Sequence, residues 1–190
     1  HSWDGATFPP PLRGTVPPIW VAAQGPKACG ITGRYADGWI HIHQDFKAWM
    51  TSAERVAEGA ESAGKDPEFM TRSLSILGVL VSSEEMYQRA CASEVVRALV
   101  LTLPGSAWTA AGASHPFGDD FAGTSSKELH FFEADRFAES NQAVTPEVLR
   151  RLMPCGPAEE VAEYMEQFIR HGVSHVVVLN VAMAGGVRVA

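Results

Sequence analysis

A parallel α/β sheet with helical crossovers is the fold class this 190-residue sequence predicts. Two observations predict it. Four short apolar runs, at about 18–23, 39–43, 72–81 and 173–180, read as strands. The first and last are continuous and not alternating, as in strands covered on both faces. Between the runs, apolar residues recur at three- and four-residue steps, the signature of helices that bury one side. Parallel neighbours require such crossovers, and the crossovers are right-handed. Four βα units fit half of a (β/α)8 barrel or a small doubly wound sheet. A whole barrel takes ~250 residues, so the length suits the half barrel.

Residues 1–16 are proline-rich and read as an irregular arm. The first strand, about 18–23, carries Ile19-Trp20-Val21-Ala22-Ala23 and stops at Gln24-Gly25. Pro26 then suits the first position of a helix over about 26–35, because its missing N–H costs nothing there. A strand that turns into a helix start offers free backbone N–H groups and a positive dipole end, which can hold a phosphate. The spacing equally fits an ordinary βα turn, since it lacks a fuller glycine fingerprint. Tyr35-Ala36-Asp37-Gly38 ends the helix, with Asp37 bracing the turn and Gly38 expected as a left-handed stop.

Trp39-Ile40-His41-Ile42-His43 alternates, which puts the two isoleucines on one face and the two histidines on the other. A helix at about 45–63 follows and Gly64 stops it. After the third strand, Ser82 with Glu85 reads as a capping box for a helix over about 83–101. The stretch 105–145 breaks the pattern and reads as an insertion with irregular turns and a helix from Ser126 to Phe137; such segments usually carry substrate contacts. A short helix spans Pro146 to Met153. The last long helix begins near Pro157 and buries Val161, Tyr164, Met165, Phe168 and Ile169. Gly172 stops it before the final strand.

The formal charge of −7 argues against nucleic acid and anionic membranes as main partners. No apolar run is long enough to span a membrane, and the polar, proline-rich start is unlike a signal peptide. Cys29, Cys91 and Cys155 are odd in number and far apart, without a CxxC pair. A disulfide framework and a zinc site are therefore not expected, and a reducing, cytoplasmic setting is.

The run Pro17-Pro18-Ile19-Trp20-Val21-Ala22-Ala23-Gln24-Gly25-Pro26-Lys27, followed by Gly33-Arg34-Tyr35-Ala36-Asp37-Gly38-Trp39-Ile40, resembles a segment of the luciferase-like monooxygenase superfamily. Thr32 stands where that family usually has Ala. Ala63-Gly64-Lys65-Asp66-Pro67, Gly156-Pro157-Ala158-Glu159-Glu160-Val161 and His171-Gly172-Val173-Ser174-His175-Val176-Val177 resemble further segments of it. Leu103-Pro104, Trp108, Gly112, His115-Pro116, Gly118, Phe121 and Gly123 are similar to its F420-dependent ketoreductase branch. The resemblance implies the C-terminal half of a (β/α)8 TIM barrel, strands five to eight, as one partial-barrel domain with an insertion before the last βα unit. It also implies that the N-terminal half, which holds the acid–base residues beside the flavin ring, is not in this chain. Its catalytic residues are therefore unknown, and the first strand becomes an exposed edge.

The implied activity is that of an oxidoreductase passing a hydride between coenzyme F420, or alternatively FMN, and a carbonyl or alcohol substrate such as a lipid ketone. The resemblance places the cofactor tail at Ala22, Ala23, Gln24, Gly25 and Pro26. His41 and His43, at the C-terminal end of a barrel strand, are candidates for cofactor contact or for a hydrogen-bonded structural role. Nothing marks a third ligand, so no metal site is expected. Trp108, His115, Phe117 and Phe121 either wall an apolar substrate pocket or anchor the insertion. Asn180 either points at the cofactor or serves a turn. Two unpaired sheet edges and an uncovered interior predict a homo-oligomer, possibly two halves completing one barrel. The alternative to catalysis is an inactive half barrel that only associates or binds a cofactor tail.

Overall fold

The computed structural model describes residues 14–42, 45–123 and 134–187, with side chains described outside 134–137. Four strands run side by side. They are β1 (Trp20–Ala22), β2 (Gly38–Ile42), β3 (Thr71–Leu80) and β5 (His175–Asn180), all parallel and in the order β1-β2-β3-β5. The helices α1 (Pro26–Tyr35), α2 (Phe46–Ser62) and α8 (Ala158–Ile169) make the crossovers. A two-residue strand β4 (Cys155–Gly156) pairs only with Val79 and Leu80 at the end of β3; two residues are too few to carry a strand signal in the sequence.

The order advances in one direction and never reverses, as in a barrel and unlike a doubly wound sheet. Curvature supports the same choice. Trp20 on β1 and His175 on β5 meet edge to face, with ring centroids 5.2 Å apart. On a flat sheet these outer strands would lie about 14 Å apart. The in-register row Ala22, Ile40, Ser73 and His175 lies on this concave face, and Ser73 Oγ is hydrogen-bonded to His175 Nδ1 at 2.8 Å.

The helix side of the sheet holds one apolar core, with Trp39, Trp49, Leu74, Ile76, Val161 and Phe168 buried together. Trp39 stacks on Trp49 at 6.0 Å, and Trp49 meets Phe168 edge to face at 5.6 Å. A second core lies at the other end of β3. There α3 (Glu84–Ala92), α4 (Glu94–Leu101), α5 (Gly105–Ala110) and α7 (Pro146–Leu152) surround Val79, Val81 and Tyr87.

Several elements differ from the sequence reading, each for a local reason. β1 is the exposed edge that the family resemblance implied, paired by β2 alone among the described residues, but the cover on both faces expected from its apolar run is absent, since Trp20 and Ala22 on its concave face are exposed. The helix expected over 83–101 is two helices, broken at Ser93, whose ψ of 126° is extended. Ser83 caps α3 by accepting from the Met86 N–H, so the cap sits one residue after Ser82. Gly38 is not left-handed; a Cβ there would lie 2.7 Å from the Trp20 indole, so the position is small for packing. Gly64 and Gly172 do have positive φ, 71° and 96°. Ile169, expected on the buried face, is exposed as the last residue of α8. The helix expected from Ser126 lies largely outside the described residues, and α6 is described over Ala134–Gln142. The expected tail contains a short helix, α9 (Val181–Ala184).

Candidate functional site

The turn from β1 into α1 is built by side chains of the following loop and strand. Asp37 Oδ2 accepts from the Ile19 N–H at 2.8 Å, and the Asp37 N–H donates to the Ile19 carbonyl at 2.8 Å. At the other end of β1, the Ala23 N–H donates to the Ile40 carbonyl at 3.2 Å. The Trp39 indole N–H donates to the Ala23 carbonyl at 2.8 Å, inside the core. The chain then leaves the ladder, Gly25 takes an extended conformation, and Pro26 opens α1.

Of the residues expected at a cofactor tail, Ala22 lies exposed on the concave face and Gln24, Gly25 and Pro26 are exposed in the turn. Ala23 is buried with its N–H and carbonyl both engaged, so its part is to hold the turn. Gly25 caps α1 without a side-chain hydrogen bond, no acid stands in the first turn, and Lys27 there is exposed. Nothing lies within 4 Å of where a Gly25 Cβ would stand. An uncapped helix start with a neighbouring cation and open space beside its glycine fits a phosphate-bearing group.

His41 does not face the barrel mouth. It shares its face with Trp39, is completely buried on the helix side, and meets the Trp39 ring edge to face at 4.9 Å. The alternation paired it with the right parity, but the bulky Trp39 on that parity takes the helix side and carries His41 with it. Its expected cofactor contact is corrected to a core position. His43 lies outside the described residues.

Trp108, His115, Phe117 and Phe121 come together in one aromatic cluster, with Trp108, His115 and Phe121 buried and Phe117 half-buried. His115 stacks on Phe121 at 4.6 Å and meets Trp108 edge to face at 4.8 Å. Phe117 lies 5.3 Å from Phe121, ring to ring. His115 Nδ1 accepts from the Phe117 N–H at 3.0 Å, which assigns the proton to Nε2, 3.2 Å from the Leu101 carbonyl. Burial lowers the His115 pKa, consistent with a neutral ring. Asn180 takes the turn role: its side-chain amide pairs with both backbone groups of Leu80, and its Oδ1 also accepts from the Ala182 N–H at the start of α9.

Sequence reasoning missed a cleft of about 200 Å3 between the insertion and the helix layer. Pro104, Ala107, Ala111, Met153, Arg151 and Tyr164 line it. Burial first, then Asp45, pushes the Tyr164 hydroxyl up to about 12, so it stays protonated. The residues come from three separate segments and none forms a motif, which left no signal to find. Among the described residues no group of three or more His, Cys, Asp or Glu could hold a metal ion, and no helix is long and apolar enough to cross a membrane.

Four parallel strands joined by helical crossovers and curved toward one face define part of an α/β barrel. Residues 2–175 match the luciferase-like monooxygenase family, and the chain belongs to it. The phthiodiolone/phenolphthiodiolone dimycocerosates ketoreductase of Mycobacterium kansasii is 34% identical over 173 residues, covering 90% of this chain and 47% of the relative. An F420-dependent hydroxymycolic acid dehydrogenase of Mycobacterium tuberculosis is 39% identical over 64 residues, 34% of this chain and 18% of the relative. Among solved structures, the coenzyme F420-dependent tetrahydromethanopterin reductase of Methanopyrus kandleri superposes with a TM-score of 0.64 at 17% identity, over 90% of this chain and 48% of that one. The chain thus spans about half the length of the curated ketoreductases it matches. The fold is that of F420-dependent TIM-barrel enzymes, as the sequence resemblance implied.

Proposed function

We propose that this chain supplies the cofactor-tail side of an F420-dependent oxidoreductase acting on a carbonyl or alcohol, with a lipid ketone as the favoured substrate class. The observation that carries the reading is the β1–α1 turn, with its uncapped helix start, open space beside Gly25 and exposed Lys27. The names of the ketoreductase and F420-dependent dehydrogenase relatives support the reaction class and favour F420 over FMN.

When bound, the deazaflavin supplies the hydride donor or acceptor. The backbone N–H groups at the start of α1 and the Lys27 ammonium hold the tail. Ala22 and Ile42 offer apolar surface on the concave face, and Ile42 is 48% exposed there. Titrating the chain with F420 and separately with FMN, followed by fluorescence anisotropy, tests this. Saturable F420 binding, weakened by Lys27→Ala, is the expected result. Absence of binding to either cofactor refutes the proposal.

A second reading, association of half barrels without chemistry, has its own observation. Exposed apolar side chains stand on or next to the two edge strands: Ile19 and Trp20 at β1, and Val177, Val178 and Leu179 on β5. Under this reading two copies pair through these edges. Sedimentation at micromolar concentration distinguishes the cases, since a well-behaved monomer removes the self-association. F420 binding without ketone-dependent oxidation of the reduced cofactor favours the associating half barrel.

A further inference from the structure

We infer that Asp37 and Trp39 are positioning residues that preset the β1–α1 turn from both ends of the strand, an inference that rests for its function on the cofactor-tail reading above. β1 has three residues and one neighbour, β2, among the described residues. A parallel ladder of that length on one side is a weak constraint. The structure adds two side-chain hydrogen bonds at the ladder's limits. The Asp37 carboxylate takes the Ile19 N–H one residue before β1, and the Trp39 indole takes the Ala23 carbonyl one residue after it.

These two bonds differ in character. The Asp37 bond is exposed, and water competes for it. The Trp39 bond is buried, and the indole itself is fixed by its stack on Trp49 and by its edge contact with His41. Trp39 therefore ties the last residue before the turn to the rigid helix-side core. Without its N–H the Ala23 carbonyl is left buried and unpaired, and the turn moves to hydrate it. The Gly25 backbone and the first amides of α1 move with it. Gly38, between the two clamping residues, lets the Trp20 indole lie close on the opposite face; a Cβ there would lie 2.7 Å away. In this way the Asp37-Gly38-Trp39 triplet seats β1 through three separate contacts.

The test compares Trp39→Phe with Trp49→Phe, which trims the same aromatic stack without touching the turn. Two amides flank the turn: Ala23 N–H, bonded to Ile40, and Cys29 N–H, bonded to Gly25. Hydrogen exchange at these two is expected to speed up about tenfold in Trp39→Phe and to stay within about twofold of the parent in Trp49→Phe. F420 affinity is expected to fall by about tenfold in the first variant only. Asp37→Asn, which keeps the shape and removes the charge, is expected to speed exchange at Ala23 by about threefold or less. Equal exchange at Ala23 and Cys29 in the two tryptophan variants overturns the inference. If the parent chain binds no F420, the exchange comparison still decides the clamp, and the failure falls on the cofactor reading alone.

Discussion

Gly30 and Gly33 stand less than one turn apart on α1, and the same substitution has opposite expected effects at each. A Cβ at Gly33 would lie 1.9 Å from the Val56 carbonyl oxygen and 2.7 Å from the Ala60 nitrogen, both backbone atoms of α2. Backbone cannot swing aside as a side chain can. The helices must part by about 1.5 Å to restore an ordinary contact. That parting also loosens the crossing at Gly59, where a Cβ would lie 2.3 Å from the Gly30 carbonyl oxygen. Overpacking of this kind costs ~1–3 kcal/mol, and opening a whole seam belongs at the upper end. Ala recovers about 1 kcal/mol through helix propensity. Gly33→Ala is therefore expected to destabilise by roughly 2 kcal/mol. At Gly30 nothing lies within 4 Å of the added Cβ, so only the propensity gain remains. For a domain of this size 1 kcal/mol moves Tm by about 2–4 °C. Thermal unfolding followed by circular dichroism is expected to show Gly33→Ala about 6 °C lower and Gly30→Ala about 2 °C higher than the parent. Shifts of the same sign refute the close-crossing argument.

Acidification is expected to loosen the insertion. Burial holds His115 below its ordinary value of 6.5, so just under that pH the unfolded chain binds a proton that the fold refuses. Stability then falls as pH drops through 6.5 and is retained above it; His115→Gln is expected to flatten the slope of Tm between pH 5 and 7. The thiols are expected to be inert. Burial raises Cys29 and Cys91 and pushes Cys155 up to about 12, where its S–H lies 3.3 Å from the Met153 carbonyl. At pH 8 labelling of Cys155 should run about a thousandfold slower in the fold than in urea. Fast labelling of all three contradicts the packing around β4. Gly38→Ala is expected to displace the Trp20 indole from its seat and so change the near-ultraviolet circular dichroism; an unchanged spectrum counts against that contact.

The four longer strands and their crossovers were legible because each of those strands is rich in apolar residues, in a run or in alternation, and the crossovers repeat at helical spacing; β4 was not, having only two residues. The Asp37 brace was legible too, since a carboxylate before a glycine has few other tasks in a turn. The face assignment of His41 was not, because a period of two says which residues share a face and is silent about which face meets the helices. Trp39 on the same parity was the available signal. The break at Ser93 carries no proline or glycine, so propensity reads through it, although Ser is a good cap once a break exists. The aromatic insertion shows a different limit. Composition announced Trp108, His115, Phe117 and Phe121 as a group, yet clustered aromatics wall a pocket or fill a core with equal ease. Nor does spacing encode the His115 hydrogen bonds to Phe117 and Leu101.

The two faces of the sheet divide the labour of the molecule. The helix side is closed: Trp39, Leu74, Ile76 and Phe168 are fully buried, and the glycines of α1 and α2 bring the helix layer close. The concave side is open at the top, with Ile42 and Leu179 about half exposed, and carries a floor where Trp20 crosses to His175. A flat doubly wound sheet would have needed helices on both faces to bury this many apolar residues. A barrel needs them on one, because its interior is filled by its own strands. The exposed concave row and the exposed edges are therefore a single feature of one geometry. They are the surfaces that a curved parallel sheet leaves for further strands, and the β1–α1 turn lies at their rim, held from the closed side by Trp39.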